Sequence, residues 1–461
     1  MNISEEKYIN IKGKNIVIIG LGQSGSAAGK LASYLGANVL ISESNSNSNI
    51  ISLSKKIEAY GINTELGGHS EKIFNADLWI ISPGIPQEAS IIKEASKKNI
   101  EIVSEIEFAS WFTSSQIIAI TGSNGKTTTV NLLFEMCNTN ELSPVLGGNI
   151  GIAFSGLVLN DLQNKISKRV YILEISSFQM DRIKHFKPSI SIFLNISEDH
   201  LDRYENMDDY INAKLNMMQN QDQNDHIIFN LDDQILNNKF LNTLPEKYGF
   251  SIYKNDKTLL SLSSDSTKIY DDAFNKLIDL KNIALPGKHN LSNILAAATA
   301  AKILGVPNLK ISQTIFSFKG VAHRIEKVIK INGVTYYNDS KATNVEAVKV
   351  ALDSFENTIH LILGGKDKGG EFSILIPLIK DKVKEIIAYG DAANLIKTAL
   401  GDAAKLKIVF SLKDAVKSCH NHAQPGDIVL LSPGCASFDQ FKNFEERGEF
   451  FKTIVNEMAK A

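Results

Sequence analysis

Cysteine is scarce in this chain. Cys137, Cys419 and Cys435 are scattered over 461 residues with no C-x-x-C spacing, which excludes a disulfide framework and a structural zinc site and suits a reducing cytosol. Long apolar runs are missing too: no stretch of eighteen apolar residues occurs, so no membrane-spanning helix is expected. The opening MNISEEKYIN carries acids where a secretory leader places positive charge, and secretion is not expected. There is no cationic excess: 49 Lys+Arg stand against 51 Asp+Glu, a net charge of −2. Without a global basic surplus the chain lacks the electrostatic footprint of a nucleic-acid binder, and any phosphate site has to be local. Arginine is the rarest cation. Only five of the 49 basic residues are Arg, at positions 169, 182, 203, 324 and 447. Lys replaces Arg well on a solvated surface and poorly where a planar fork is needed, so each Arg is worth separate attention.

What is present describes an α/β protein. The length allows roughly two to four domains by the usual domain size. Short β-branched runs alternate with helical patterns throughout, which predicts layered α/β domains with largely parallel sheets. In a first block, residues 15–20, 38–43 and 77–82 read as buried strands, with a helix over 24–35 and a polar loop, SNSNSN, at 44–49. A second block begins with the strand QIIAIT at 116–121, runs through a glycine-rich turn into a helix ending near Asn138, and continues with strands at 170–174, 190–195 and 226–230. An Ala-rich helix over 290–304 stops at Gly305 before Pro307. A third block has strands near 334–338, 359–364, 385–389, 408–410 and 427–432. Domain boundaries are expected near 107 and 320, giving domains 1–107, 108–320 and 321–461. Residues 235–280 carry no interpretable motif.

Two glycine turns point to phosphate. Gly20-Leu-Gly22-Gln-Ser-Gly25 follows a strand and opens a helix, with Glu43 ending the next strand, as in a dinucleotide site. Taken alone it suggests NAD and an oxidoreductase, yet glycines at a helix N-terminus let any nucleotide diphosphate approach the backbone. The second turn, Gly122-Ser123-Asn124-Gly125-Lys126-Thr127-Thr128, departs from the strict G-x-x-x-x-G-K-[ST] pattern because Ile120 stands where the first Gly belongs. Its mechanics survive: backbone N–H groups can cradle phosphate oxygens, Lys126 can neutralise the β and γ phosphates, and the Thr127 or Thr128 hydroxyl can reach Mg²⁺.

Downstream, Glu174-Ile-Ser176-Ser177-Phe178-Gln179 lies at a strand's C-terminal end, where parallel sheets place ligands. Asn195-Ile-Ser-Glu198-Asp199-His200-Leu-Asp202-Arg203-Tyr204 gathers carboxylates and an imidazole, a donor set that suits Mg²⁺ beside phosphate. Lys214 reads as an ordinary helical lysine. His289, Asn290 and Asn293 near a helix start are either caps or adenine ligands. His323-Arg324 falls at the second boundary, where an Arg on a hinged domain can clamp a γ-phosphate.

Assembled in this order, over nearly the whole chain, these motifs resemble those of the Mur ligases. Three further stretches resemble the members of that family that add D-glutamate: Asn338-Asp339-Ser340-Lys341-Ala342-Thr343-Asn344, Leu363-Gly-Gly-Lys366-Asp367-Lys368-Gly369, and Leu431-Ser-Pro-Gly-Cys435-Ala-Ser437-Phe438-Asp-Gln-Phe-Lys-Asn-Phe444. The resemblance implies three domains: an N-terminal dinucleotide-like domain that binds UDP, a central P-loop ATPase-like domain, and a C-terminal Rossmann-like domain that receives the incoming amino acid. It implies an ATP-dependent amide ligase that joins D-glutamate to UDP-N-acetylmuramoyl-L-alanine through an acyl phosphate, working in the cytoplasm as a monomer, with L-glutamate as the nearest alternative acceptor.

The same resemblance implies the site. Gly122 to Thr128, Asn290, Asn293, Arg324, Asp339 and Lys341 would bind ATP. Gln23, Ser24, Glu43, Ser44, Ser82, Asn149, Ser176 and Gln179 would bind the sugar nucleotide, although Glu43-Ser44-Asn45 replaces the family's Asp-Thr-Arg. Thr343, Lys368, Ser437 and Phe438 would bind the amino acid. Thr127, Glu174, His200 and a carbamylated Lys214 would hold Mg²⁺, two ions in all, and Lys126, His200, Lys214 and Arg324 would act in catalysis.

Overall fold

The computed structural model describes residues 9–85, 89–197, 204, 206–240, 243–253, 255, 258–273, 275–283, 285, 287–367 and 369–460. They divide into two compact units, residues 1–281 with 292–315, and residues 282–291 with 316–461. Among the described residues, no helix is long and apolar enough to cross a membrane.

The first unit holds two parallel sheets. One has the order β3-β2-β1-β4-β5, built from β1 (Asn15–Ile19), β2 (Asn38–Glu43), β3 (Asn63–Leu66), β4 (Leu78–Ile81) and β5 (Glu101–Ser104). The other, in the order β11-β10-β9-β6-β8-β7, comprises β6 (Gln116–Thr121), β7 (Pro144–Gly148), β8 (Val170–Glu174), β9 (Ile190–Phe193), β10 (His226–Asn230) and β11 (Glu246–Phe250). A shared apolar core runs from Ile16 and Ile41 through Phe108 and Trp111 to Phe193 and Phe240. The segment without motifs completes this sheet with β11 and then adds a small antiparallel sheet of β12 (Leu260–Leu262), β13 (Lys268–Asp271) and β14 (Lys276–Asp279).

The second unit carries a mixed sheet in the order β15-β16-β20-β17-β18-β19. Its strands are β15 (Glu326–Ile331), β16 (Val334–Asn338), β17 (Ile359–Gly364), β18 (Val383–Tyr389), β19 (Lys405–Val409) and β20 (Ile428–Leu431). Only β15 runs antiparallel, turning at Asn332-Gly333 into β16. Apolar clusters cover both faces of this sheet. The fold is thus α/β with mainly parallel sheets, as the alternation predicts.

One local expectation needs correction, and five strands are not anticipated. The SNSNSN segment is only half loop: Asn47 accepts a hydrogen bond from Ile50 N and caps the helix Ser48–Glu58, so the polar repeat acts as a helix start rather than a linker. Strands β3, β5, β7, β11 and β15 carry no expectation from the sequence, and each is the edge of its sheet.

Candidate functional site

The phosphate turn is shaped by its surroundings. Gly125 caps the helix Lys126–Cys137 with φ +86°, a left-handed conformation in which a side chain would also strike Asn293. A Cβ on Gly122 would come within 2.9 Å of Leu194 Cβ. The turn is pinned from the next strand: Asn124 N donates to Asn195 Oδ1 at 2.8 Å, and Asn195 Nδ2 returns to Asn124 O at 3.1 Å. Ser123 Oγ donates to Ser197 O at 2.9 Å and lies 3.0 Å from Tyr210 Oη. Asn195 and Tyr210 carry no assignment from sequence, because their contribution is to hold backbone contributed by a distant segment.

Beside this cradle stands a set of buried polar groups. Thr127 Oγ1 donates to Glu174 Oε2 at 2.7 Å, and Asn149 Nδ2 donates to Glu174 Oε1 at 3.1 Å. Lys126 Nζ folds over the turn, donating to Gly122 O at 2.6 Å and Ser123 O at 2.9 Å. Lys214, which spacing alone reads as a surface lysine, is 2% exposed; its Nζ donates to Gly122 O at 3.2 Å and lies 4.5 Å from the Tyr210 ring centroid. Burying an ammonium is costly without partners, so this placement marks Lys214 as more than a solvated charge. Thr128 is buried, and Thr129 Oγ1 meets Asn293 Oδ1 at 3.4 Å. Residues 198–203, and with them His200, lie outside the described residues.

The sugar-nucleotide candidates gather at the C-terminal ends of β1, β2 and β4. Glu43 accepts Leu21 N at 2.9 Å and Asn45 N at 2.8 Å, so this acid fixes the first glycine turn and the following loop. Ser44 Oγ reaches Glu43 Oε1 at 3.3 Å, and Ser82 Oγ reaches Gly20 O at 3.4 Å. Ser24 is exposed in the helix Gln23–Tyr34. Gln23 Nε2 donates to Gly151 O, linking this turn to the loop that carries Asn149. Ser176 and Gln179 form a capping box on the helix Ser177–Met180, which fixes both side chains at its start.

In the second unit, β16, β20 and β17 are neighbours, and the three further motifs follow them. Gly434 N donates to Ala342 O at 2.9 Å, Gly364 N to Pro433 O at 2.9 Å, and Lys366 and Ala436 exchange backbone bonds at 2.8 and 3.0 Å. Motifs far apart in sequence thus meet at one end of the sheet. Arg447, wholly buried, ties them: Nε donates to Ser340 Oγ at 2.9 Å, Nη2 to Ser340 O at 2.8 Å and Nη1 to Cys435 O at 3.1 Å. Ser437 is buried, Phe438 is 65% exposed, and Thr343 and Lys341 are half-buried, with Lys341 Nζ 5.7 Å from the Phe444 ring. Lys368 lies outside the described residues.

Arg324 sits between His323 (φ +64°) and Ile325 (φ +43°), two non-glycine residues in the left-handed region that cost about 1–2 kcal/mol each. Burial and then the Arg324 charge hold His289 down to about 4. Asp339 accepts Ser432 Oγ at 2.7 Å and Ile325 N at 3.1 Å. Burial pushes its carboxyl up to about 7, against the opposing pull of these bonds and of Arg324. Asn290 is buried at the start of the helix Lys288–Ile303.

Comparison with known proteins agrees with this geometry. Residues 14–104 match the Mur ligase MurD-like N-terminal domain, residues 120–301 the Mur ligase middle domain, and residues 323–435 the Mur ligase glutamate ligase domain. A UDP-N-acetylmuramoylalanine--D-glutamate ligase of Chloroherpeton thalassium is 40% identical over 96% of this chain and 98% of its own. One of the same name from Christiangramia forsetii is 40% identical over 97% and 100%. The fold matches that of a UDP-N-acetylmuramate-alanine ligase of Thermotoga maritima, with TM-score 0.59 at 17% identity over 96% of this chain and all of that one. A phosphate turn backed by a buried Thr–Glu pair, a buried lysine against it, and three domain matches in the same order have one common explanation: the chain belongs to the Mur ligase family.

Proposed function

We propose that this chain ligates D-glutamate to UDP-N-acetylmuramoyl-L-alanine at the expense of ATP, releasing ADP and phosphate, as a cytoplasmic step of peptidoglycan precursor synthesis. The observation that carries the reading is the Thr127–Glu174 pair, 2.7 Å apart and buried beside the phosphate turn, in a chain 40% identical over 96% of its length to a ligase of that name.

A carboxylate resists amine attack because it is anionic and has no good leaving group. Transfer of the γ-phosphoryl from ATP to the L-alanyl carboxylate makes an acyl phosphate and ADP. The D-glutamate amine then attacks the carbonyl carbon, the C–O bond to phosphate breaks with its electron pair, and the nitrogen loses a proton to leave the amide. Lys126 and the N–H groups of residues 122–127 stabilise the charge on the transferring group. Arg324, Asp339 and Lys341 are assigned to the nucleotide by family resemblance, and Thr343, Lys368, Ser437 and Phe438 to the acceptor, whose two carboxylates call for the Lys368 charge. The first glycine turn then serves a uridine diphosphate, and NAD is not required.

The oxygen donors suit magnesium. Thr127 and Glu174 would offer protein oxygens, with His200 as a further ligand, and leave positions for ATP oxygens and water, the habit of Mg²⁺. When bound, the ion neutralises repulsion between ATP and the carboxylate. Lys214 is assigned as a carbamate, which turns a buried cation into an anionic oxygen ligand. Incubation with ATP, Mg²⁺, UDP-N-acetylmuramoyl-L-alanine and each glutamate enantiomer tests the reading: ADP and a UDP-dipeptide form with the D-enantiomer. Product from L-glutamate alone, or none while a parallel ligase of this class is active, overturns it.

A further inference from the structure

In the first sheet, the loops that would receive a diphosphate are without strong cations. Residues 20–25 (GLGQSG), 43–48 (ESNSNS), 66–70 (LGGHS) and 82–85 (SPGI) contain neither Lys nor Arg, and no Arg precedes position 169. Glu43 even adds a negative charge against the first turn, at 2.9 Å from Leu21 N. Helix N-termini and turn N–H groups favour a phosphate, but two adjacent phosphoryl groups bring at least two negative charges.

Arg182 lines a small cleft beside one of these loops, the one after β4. Ile81, Ser82, Pro83 and Ile85 from the end of β4 and its loop, Ser104, and Phe178, Asp181 and Arg182 from the segment after β8 line it. Arg182 Nε is buried without a hydrogen-bond partner, an expensive state for a guanidinium nitrogen unless a ligand completes it. The chain around it, from Arg182 to Phe186, is tied down. Ser104 N donates to Arg182 O at 3.5 Å. Buried Glu107 accepts the N–H groups of Lys184, His185 and Phe186 at 3.0, 2.8 and 2.8 Å. Gln219 Nε2 donates to Ile183 O at 2.8 Å, and Asn220 Nδ2 to Lys184 O at 2.9 Å. Desolvation pulls the guanidinium below its ordinary range, offset by the neighbouring charge of Asp181.

We infer that Arg182 is a substrate-positioning residue that supplies, from the segment after β8, the cationic fork for the diphosphate of the sugar nucleotide. The inference rests on the function proposed above. Its physical basis is the pairing of an unfilled, backbone-anchored guanidinium with loops of suitable shape and no charge of the right sign, since planar forks match phosphate oxygens two at a time.

Arg182→Met and Arg182→Lys test it, with UDP as the binding probe. In Arg182→Met, KM for the UDP-sugar substrate and the Kd for UDP rise about 10- to 100-fold, the range for loss of a charge-assisted bidentate contact. The kcat and the KM values for ATP and D-glutamate stay within about twofold, and the melting temperature without ligand is unchanged. Arg182→Lys restores part of the UDP affinity by returning the charge without the fork. A folded Arg182→Met protein that binds UDP as the wild type does overturns the inference and leaves the proposed function standing. Wild-type protein that neither binds UDP nor forms product overturns both.

Discussion

Arg447→Met removes a side chain that hydrogen-bonds backbone carbonyls in three motifs of the second unit, at Ser340, Gly364 and Cys435. Three of its hydrogen bonds, to Ser340 Oγ, Ser340 O and Cys435 O, are 2.8–3.1 Å long, and bonds from a charged donor contribute about 1.5–3 kcal/mol apiece. Against them stands the cost of keeping a guanidinium dry at 0% exposure, several kcal/mol for an ion without a carboxylate partner. Met fills much of the volume but takes the charged donors away from buried carbonyls, so a net loss of about 2–4 kcal/mol is expected. Both tryptophans, Trp79 and Trp111, belong to the first unit. Urea unfolding followed by far-ultraviolet circular dichroism should therefore reveal an earlier transition of the second unit, while tryptophan fluorescence reports the first. Because Ser340 and Cys435 flank Thr343 and Ser437, KM for D-glutamate should rise while KM for the UDP-sugar stays put. Arg447→Lys should recover little, since an ammonium cannot reach three acceptors in one plane. A Met variant with an unchanged circular dichroism transition and an unchanged KM for D-glutamate would refute the reasoning.

Glu105 is buried with Oε2 unpaired, and desolvation pushes its carboxyl up to about 7. Its folded value thus exceeds its unfolded one, so the stability it contributes is present below the ordinary glutamate range and is lost as pH rises to about 7; Glu105→Gln should flatten the pH dependence of the first unit's urea midpoint across that window. Glu107 accepts Trp111 Nε1 at 2.7 Å besides three backbone N–H groups, and Glu107→Ala should cost about 3–5 kcal/mol by leaving buried donors unmatched, with faster amide exchange at residues 184–186. Thr127→Val keeps the shape of the phosphate turn but takes the hydroxyl from Glu174, and a fall in kcat of about tenfold or more, with a raised Mg²⁺ requirement, is expected in initial-rate assays.

The sequence is transparent where both faces of a strand are covered. β6, β8 and β17 end where their buried, largely apolar runs end, because a strand buried between helices has to be apolar nearly throughout. Edge strands are opaque for the same reason. β3 (NTEL), β7 (PVLGG), β11 (EKYGF) and β15 (EKVIKI) present one side to solvent or end in glycine, and pairing with an inner neighbour sets their conformation more than their own propensity does. At the site the division is similar. Turn residues such as Gly122 and Gly125 are legible because only glycine fits there. The partners of Arg447 at residues 340 and 435, and those of Glu107 at 184–186, are not, since no local spacing links positions so far apart.

Arginine scarcity proves to be the more telling absence. In a chain that uses Lys for most positive charge, an Arg persists where a compact ammonium fails, because the guanidinium is planar, carries five donors and is weakly hydrated. Arg169 meets Asp161 at 3.2 Å beside the Tyr171 hydroxyl, which itself donates to Asp161 at 2.6 Å, two donors on one buried carboxylate. Arg447 spans Ser340 and Cys435. Arg324 is held by left-handed neighbours and acts on both His289 and Asp339. None of these is a fully exposed charge, and Arg182 has a buried Nε that meets no protein acceptor. The selection that removes Arg elsewhere would remove an idle one here as readily, so the vacancy at its fork argues for a ligand that arrives with the substrate.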